Sequence, residues 1–106
     1  VSSVQPGSFR TDWSGRSMQR TATPIDDYYE HVGSRLDMIA EIDGKQPGDP
    51  VRAAAAFVML ANCDKPPAQL LLGAGVLASY RDKLAGVHAN LDAWQDTTES
   101  ADFPQQ

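Results

Sequence analysis

The chain has 106 residues, 42% of them hydrophobic and 22% charged, with 14 acidic against 9 basic side chains and a net charge of −5. That describes one small domain or part of a larger one, and excludes a chain disordered throughout. The longest apolar run, residues 53–61, is far short of the roughly 20 residues a helix needs to cross a bilayer, so no membrane partner is expected. The basic residues are scattered singly, which together with the acidic balance argues against nucleic acid. The single cysteine, Cys63, excludes an internal disulfide framework and a cysteine-based zinc site, and suits a reducing, cytoplasmic location.

The chain opens at Val1 without a charged segment leading into an apolar one, so no secretory signal is read. Val-Ser-Ser-Val just before a Pro-Gly turn reads as entry into the middle of a strand, hence as a piece of a longer polypeptide. Residues 1–5 are expected as that strand, stopped by Pro6-Gly7. Residues 8–23 form a long polar loop with isolated Phe9, Trp13 and Met18, of a length that usually accompanies function. A first helix is expected after Thr23, with Thr23 as cap, Pro24 in the first turn and Asp26 and Asp27 at the positive dipole end. Ile25, Tyr28, Tyr29, Val32, Leu36 and Ile39 would form its apolar face, Gly33 would weaken it, and Gly44 would end it.

Asp49-Pro50 repeats the cap-then-proline grammar and opens a second helix to about Cys63. Its four consecutive alanines, residues 53–56, suit close packing against a sheet or another helix. Residues 69–72 are too short an apolar run for a helix and read as a strand ended by Gly73. A third helix follows, with Val76, Leu77, Tyr80, Leu84, Val87, Leu91 and Trp94 as its seam, divided or bent at Gly86. The predicted organisation is therefore one α/β segment over residues 1–95, with a substrate loop or lid at about 8–44, and a flexible acidic tail over 96–106. Two short strands and three helices make an incomplete sheet, as in the back half of an α/β layered fold.

Several chemical patterns compete. A Pro-Gly turn at the carboxyl end of a parallel strand is where open α/β sheets bind ligands, and Thr11 there offers a hydroxyl and an N–H; a plain strand-to-loop turn is the bland alternative. Gly73-Ala-Gly75-Val-Leu-Ala78 matches the dinucleotide fingerprint, with Asp92 nineteen residues on, but the acid falls in the helical seam and not on a second strand. His31 and His88 lie on different helices without ligand partners, and Asp26, Asp27 and Glu30 are what a helix start favours anyway, so no metal is expected. Ser14 and Ser17 have no neighbouring base to make either a nucleophile.

Val4-Gln5-Pro6-Gly7-Ser8-Phe9-Arg10-Thr11 resembles the segment after the sixth strand of short-chain dehydrogenases/reductases. Gly48-Asp49-Pro50 resembles the start of their next helix, and Leu70-Leu71-Leu72-Gly73 their seventh strand. Three landmarks in order, over roughly residues 1–80, mark the chain as similar to the C-terminal portion of such an oxidoreductase. The resemblance implies a Rossmann-like fold, with NAD or NADP in the complete enzyme. It implies that Pro6, Gly7, Phe9 and Thr11 line the nicotinamide site and that Trp13, Met18, Tyr28 and Tyr29 form a substrate lid. The family's Tyr-x-x-x-Lys pair and glycine-rich phosphate loop have no counterpart here, so this chain alone is expected to hold no cofactor and no catalytic residue. Expected partners are the N-terminal remainder of the enzyme or further copies, through the second helix and last strand. The alternative is a stand-alone, non-catalytic helical interaction domain whose strands pair and whose apolar seams form a bundle.

Overall fold

The structure is a computed structural model and describes residues 1–21 and 25–104. In chain order the elements are strand β1 (Ser3–Pro6), a 3-10 turn (Asp26–Tyr28), a π-helical turn (Tyr29–Gly33), α1 (Ser34–Glu41), α2 (Pro50–Ala61), β2 (Gln69–Leu72) and α3 (Ala74–Glu99). The strands form a two-stranded parallel sheet with Ser3 opposite Gln69 and Pro6 opposite Leu72. This is the expected α/β arrangement, an open Rossmann-like sheet with three helices. The first strand finds its partner 66 residues away, as a lone strand must if its backbone is to be satisfied.

Pro6 is part of β1, whereas the strand was expected to stop before it. Ser3 N–H donates to Ala68 O (2.9 Å) and Gly7 N–H to Leu72 O (2.8 Å), so the odd-numbered residues face β2. Alternation turns the backbones of Val4 and Pro6 to the opposite, open edge. The proline's missing N–H is therefore not needed in the ladder.

The first helix departs most from expectation. Its Thr23 and Pro24 start lies outside the described residues. From Asp26 it passes through 3-10 and π turns before becoming α-helical at Ser34. Only Leu36 and Ile39 of its apolar residues are half-buried, while Ile25, Tyr28, Tyr29 and Val32 stay exposed. A Cβ on Gly33 would stand 2.2 Å from Cδ2 of Tyr29, so the ring lies across the glycine within the π turn. Gly44, at φ +72°, lies beyond the end of this segment as expected.

α2 starts where the cap predicts: Asp49 Oδ1 accepts from Val51 N–H (2.8 Å) and Arg52 N–H (3.4 Å). Gly73, at φ +117°, turns the chain from β2 into α3, a conformation that favours glycine. α3 runs unbroken through Gly86 and on to Glu99, four residues into the stretch expected as tail.

Among the described residues no apolar side chain is fully buried. The chain exposes 9294 Å², where a folded monomer of this mass exposes about 5,800 Å². Its radius of gyration is 20.8 Å, against about 13 Å for a compact domain of this length. The alanines of α2 meet no close-packed neighbour: Ala53 and Ala56 are only half-buried. The apolar seams form no bundle within the chain.

Candidate functional site

The best-ordered tertiary contact lies at the carboxyl end of β1. Beyond Gly7 the chain pairs once more: Gly48 N–H donates to Ser8 O (3.0 Å) and Arg10 N–H to Gly48 O (2.9 Å). A Cβ on Gly48 would be 2.6 Å from both Ser8 O and the Phe9 ring, so only glycine lets the two segments meet. Arg10 adds bonds from Nε (3.3 Å) and Nη2 (3.1 Å) to the backbone oxygen of Gln46.

A polar latch closes the same seam. Gln46 Nε2 donates to Ser14 Oγ, which donates to Asp43 Oδ1 at 2.9 Å. Ser14 and Gln46 are the two buried residues of the described chain, 6% and 4% exposed. Because the Ser14 proton goes to a carboxylate, its oxygen can only accept from Gln46, which fixes the amide orientation and leaves Gln46 Oε1 enclosed without a partner. Nothing in the sequence pattern announces this latch: three polar residues in aperiodic loops carry no signal until the loops are brought together. Ser14, expected to have no base beside it, instead donates its hydroxyl to the Asp43 carboxylate, brought in from 29 residues away, and accepts from the Gln46 amide.

The latch holds one wall of a cleft of about 680 Å³. Pro6, Gly7, Phe9, Thr11 and Trp13 all line it, facing Met38 and Ile39 of α1 and Phe57 of α2. Five of the eight residues singled out for cofactor rim and lid thus share one cavity. Met18, Tyr28 and Tyr29 do not line it. Tyr29 instead donates from its hydroxyl to Asp37 Oδ2 (2.8 Å), and that bond, with the carboxylate's charge, raises the phenol pKa above its ordinary value. A second cleft of about 720 Å³ shares Gly7, Phe9 and Gln46 and is closed by Val76, Ser79, Tyr80 and Lys83 of α3.

The first cleft is lined mostly by apolar side chains, with a few polar groups among them. Thr11 Oγ1 accepts from Trp13 N–H (3.4 Å), which leaves its O–H to donate. Pro6 and Phe9 supply apolar walls. The fingerprint-like Gly73–Ala78 follows β2 and opens α3, and Asp92 lies further along that same helix and not on a second strand. No group of three or more acidic, histidine or cysteine side chains able to hold a metal occurs among the described residues. No helix among them is long and apolar enough to cross a membrane.

A parallel β-strand pair with its cleft at the carboxyl end, flanked by helices, is the arrangement of an open Rossmann-like sheet. Comparison with known proteins agrees. The chain is 31% identical to a short-chain dehydrogenase from Streptomyces avermitilis, with a TM-score of 0.67 over 93% of this chain and 35% of that one. It is 29% identical over 97 residues to oxidoreductase BOA17 of Botryotinia fuckeliana, covering 91% of this chain and 35% of the relative. It is 30% identical over 93 residues to the uncharacterized oxidoreductase C162.03 of Schizosaccharomyces pombe, covering 88% of this chain and 31% of the relative. No protein-family model matches. The chain is similar to part of a short-chain dehydrogenase and of two oxidoreductases, and spans about a third of the length of the relatives it matches.

Proposed function

We propose that this segment supplies the nicotinamide rim and substrate wall of an NAD(P)-dependent oxidoreductase acting on a carbonyl or alcohol. The bound dinucleotide would give or take the hydride; the residues here orient its ring and shape the space beside it. Pro6, Gly7 and Phe9 form the rim, and Thr11 offers its free O–H to the ring's carboxamide or to a phosphate oxygen. Trp13 covers the substrate side, with Met18, Tyr28 and Tyr29 as the outer lid. The general acid and the phosphate cradle belong to the remainder of the enzyme, which also supplies the cover that the exposed surface of this chain lacks. α2 and β2 carry further contacts between copies.

The observation that carries this reading is the gathering of Pro6, Gly7, Phe9, Thr11 and Trp13 on one apolar cleft at the carboxyl end of β1. The test is titration with NADH and NADPH. The 106-residue chain is expected to bind neither better than roughly millimolar, the weak end of specific affinity. Joined to a segment with the glycine-rich loop and Tyr-x-x-x-Lys, it should bind one of them, and Thr11→Val should weaken that binding about five- to tenfold, the worth of one hydrogen bond. Micromolar binding by the isolated chain, or an unchanged Thr11→Val variant, overturns the assignment.

A further inference from the structure

We propose that Arg35 reads an anionic group on the substrate, so that the carbonyl compound or alcohol taken at this site carries a carboxylate. The proposal rests on the rim reading above and names a substrate class for it. Arg35, Met38, Ile39 and Ile42 all line the cleft of about 680 Å³. Their positions make one stripe along α1 and its C-cap, Ile42. The other three members of the stripe are apolar, as are Phe9, Trp13 and Phe57 elsewhere on the lining. A helix stripe turned to such a wall ordinarily carries apolar residues throughout. Here its first position is a guanidinium.

Arg35 is the only charged residue among those described on the cleft. It takes part in no ion pair or side-chain hydrogen bond among the described residues. The four other arginines in residues 1–61 all have partners: Arg10 the Gln46 backbone oxygen, Arg16 Asp12, Arg20 Asp37, and Arg52 Asp49. The helix neighbours of Arg35 at three and four positions, His31, Val32, Met38 and Ile39, include no acid. Asp37 is engaged by Tyr29 and Arg20, and Asp43 by Ser14.

Arginine stays charged at any working pH, and its paired N–H groups match the two oxygens of a carboxylate. A molecule that displaces water from this cleft must bring an anion to the guanidinium or leave a charge poorly solvated. The rim residues come from the end of β1 and Arg35 from the helix, so one cleft offers a wall for a ring and a separate group that reads charge. A diphosphate brings more negative charge than one arginine answers. A single arginine beside Met38 and Ile39 suits one carboxylate on a carbon skeleton.

The experiment uses the longer polypeptide that joins this segment to the glycine-rich loop and Tyr-x-x-x-Lys. The probes are levulinate, its longer oxo-acid homologues and the methyl ester of each, titrated calorimetrically with and without NAD(P)H. At least one acid should bind about tenfold or more tightly than its ester, the worth of a hydrogen bond to a charged group. Arg35→Gln should bring that ratio to within about twofold of one, and Arg35→Lys should restore part of it. Affinity for NADH and NADPH should not follow the ratio. Equal binding of every acid and ester overturns the proposal. So does a preference that survives Arg35→Gln, the result expected if Arg35 only supports the fold. A matching loss of NAD(P)H affinity in Arg35→Gln also overturns it, assigning the guanidinium to the cofactor's phosphates. The acid-to-ester ratio is read without cofactor as well, so failure of NAD(P)H to bind the unsubstituted protein strikes the rim reading separately.

Discussion

The loop-and-connector seam around Gly48 and the outer half of α3 are both ordered, for opposite reasons. The seam has almost no regular secondary structure. Its order comes from backbone bonds between residues 8–10 and 48, the Arg10 fork on Gln46, and the Ser14–Gln46–Asp43 latch. The outer half of α3 is continuous helix, and every residue of it is exposed. One region is held by tertiary contact without local regularity, the other by local regularity without tertiary contact.

The largest expected effect tests the seam. Gly48→Ala places a methyl 2.6 Å from Ser8 O and the Phe9 ring, which should cost about 1–3 kcal/mol and remove exchange protection from the Arg10 and Gly48 amides. Gly86→Ala is the matched control on α3: nothing lies within 4 Å, and the helix should gain about 1 kcal/mol. If both substitutions act alike, the contrast between the regions is wrong. Next comes Ser14→Ala, which strands the Gln46 amide and frees Asp43. It should loosen residues 12–18 by about 1–3 kcal/mol, read as faster exchange at Gly15, Ser17 and Met18, with α3 unaffected.

The smallest effect concerns Tyr29. Its phenol pKa is raised because its proton is shared with Asp37. A raised folded-state value means the bond's contribution is complete below the unfolded phenol pKa and is lost as pH climbs through the folded one. Asp37→Asn should bring the absorbance titration of Tyr29 back down toward the ordinary phenol range. An unchanged midpoint would show that the Asp37 bond is not formed in solution.

Much of the fold was legible where one residue type has one cheap use. Asp49-Pro50 opened α2, Gly73 closed β2, and Leu70–Leu72 could be little but a strand. The α3 seam was visible because its period is strict over many turns. The segment before α1 failed because apolar spacing reports which residues could share a face. It does not report whether a tyrosine ring will lie over Gly33 and force a wider turn. Four of the six residues of that supposed face, Ile25, Tyr28, Tyr29 and Val32, are exposed. That Pro6, Gly7, Phe9 and Thr11 would lie together was readable from Pro6-Gly7 and the resemblance that motif carries, and they line one cleft. The latch was not, because burial of Gln46 depends on two loops meeting, a long-range event with no local mark.

The proline in β1 has a last consequence for how the molecule meets strangers. A free sheet margin is an adhesive template, and stacks of like strands grow from it when every second residue offers a donor and an acceptor. On the outer margin of β1, Val4 still presents both, but Pro6 presents only an oxygen. An intruding strand would be stitched once and then find the next stitch missing. The right neighbour can bridge that gap with packing, while a random one cannot.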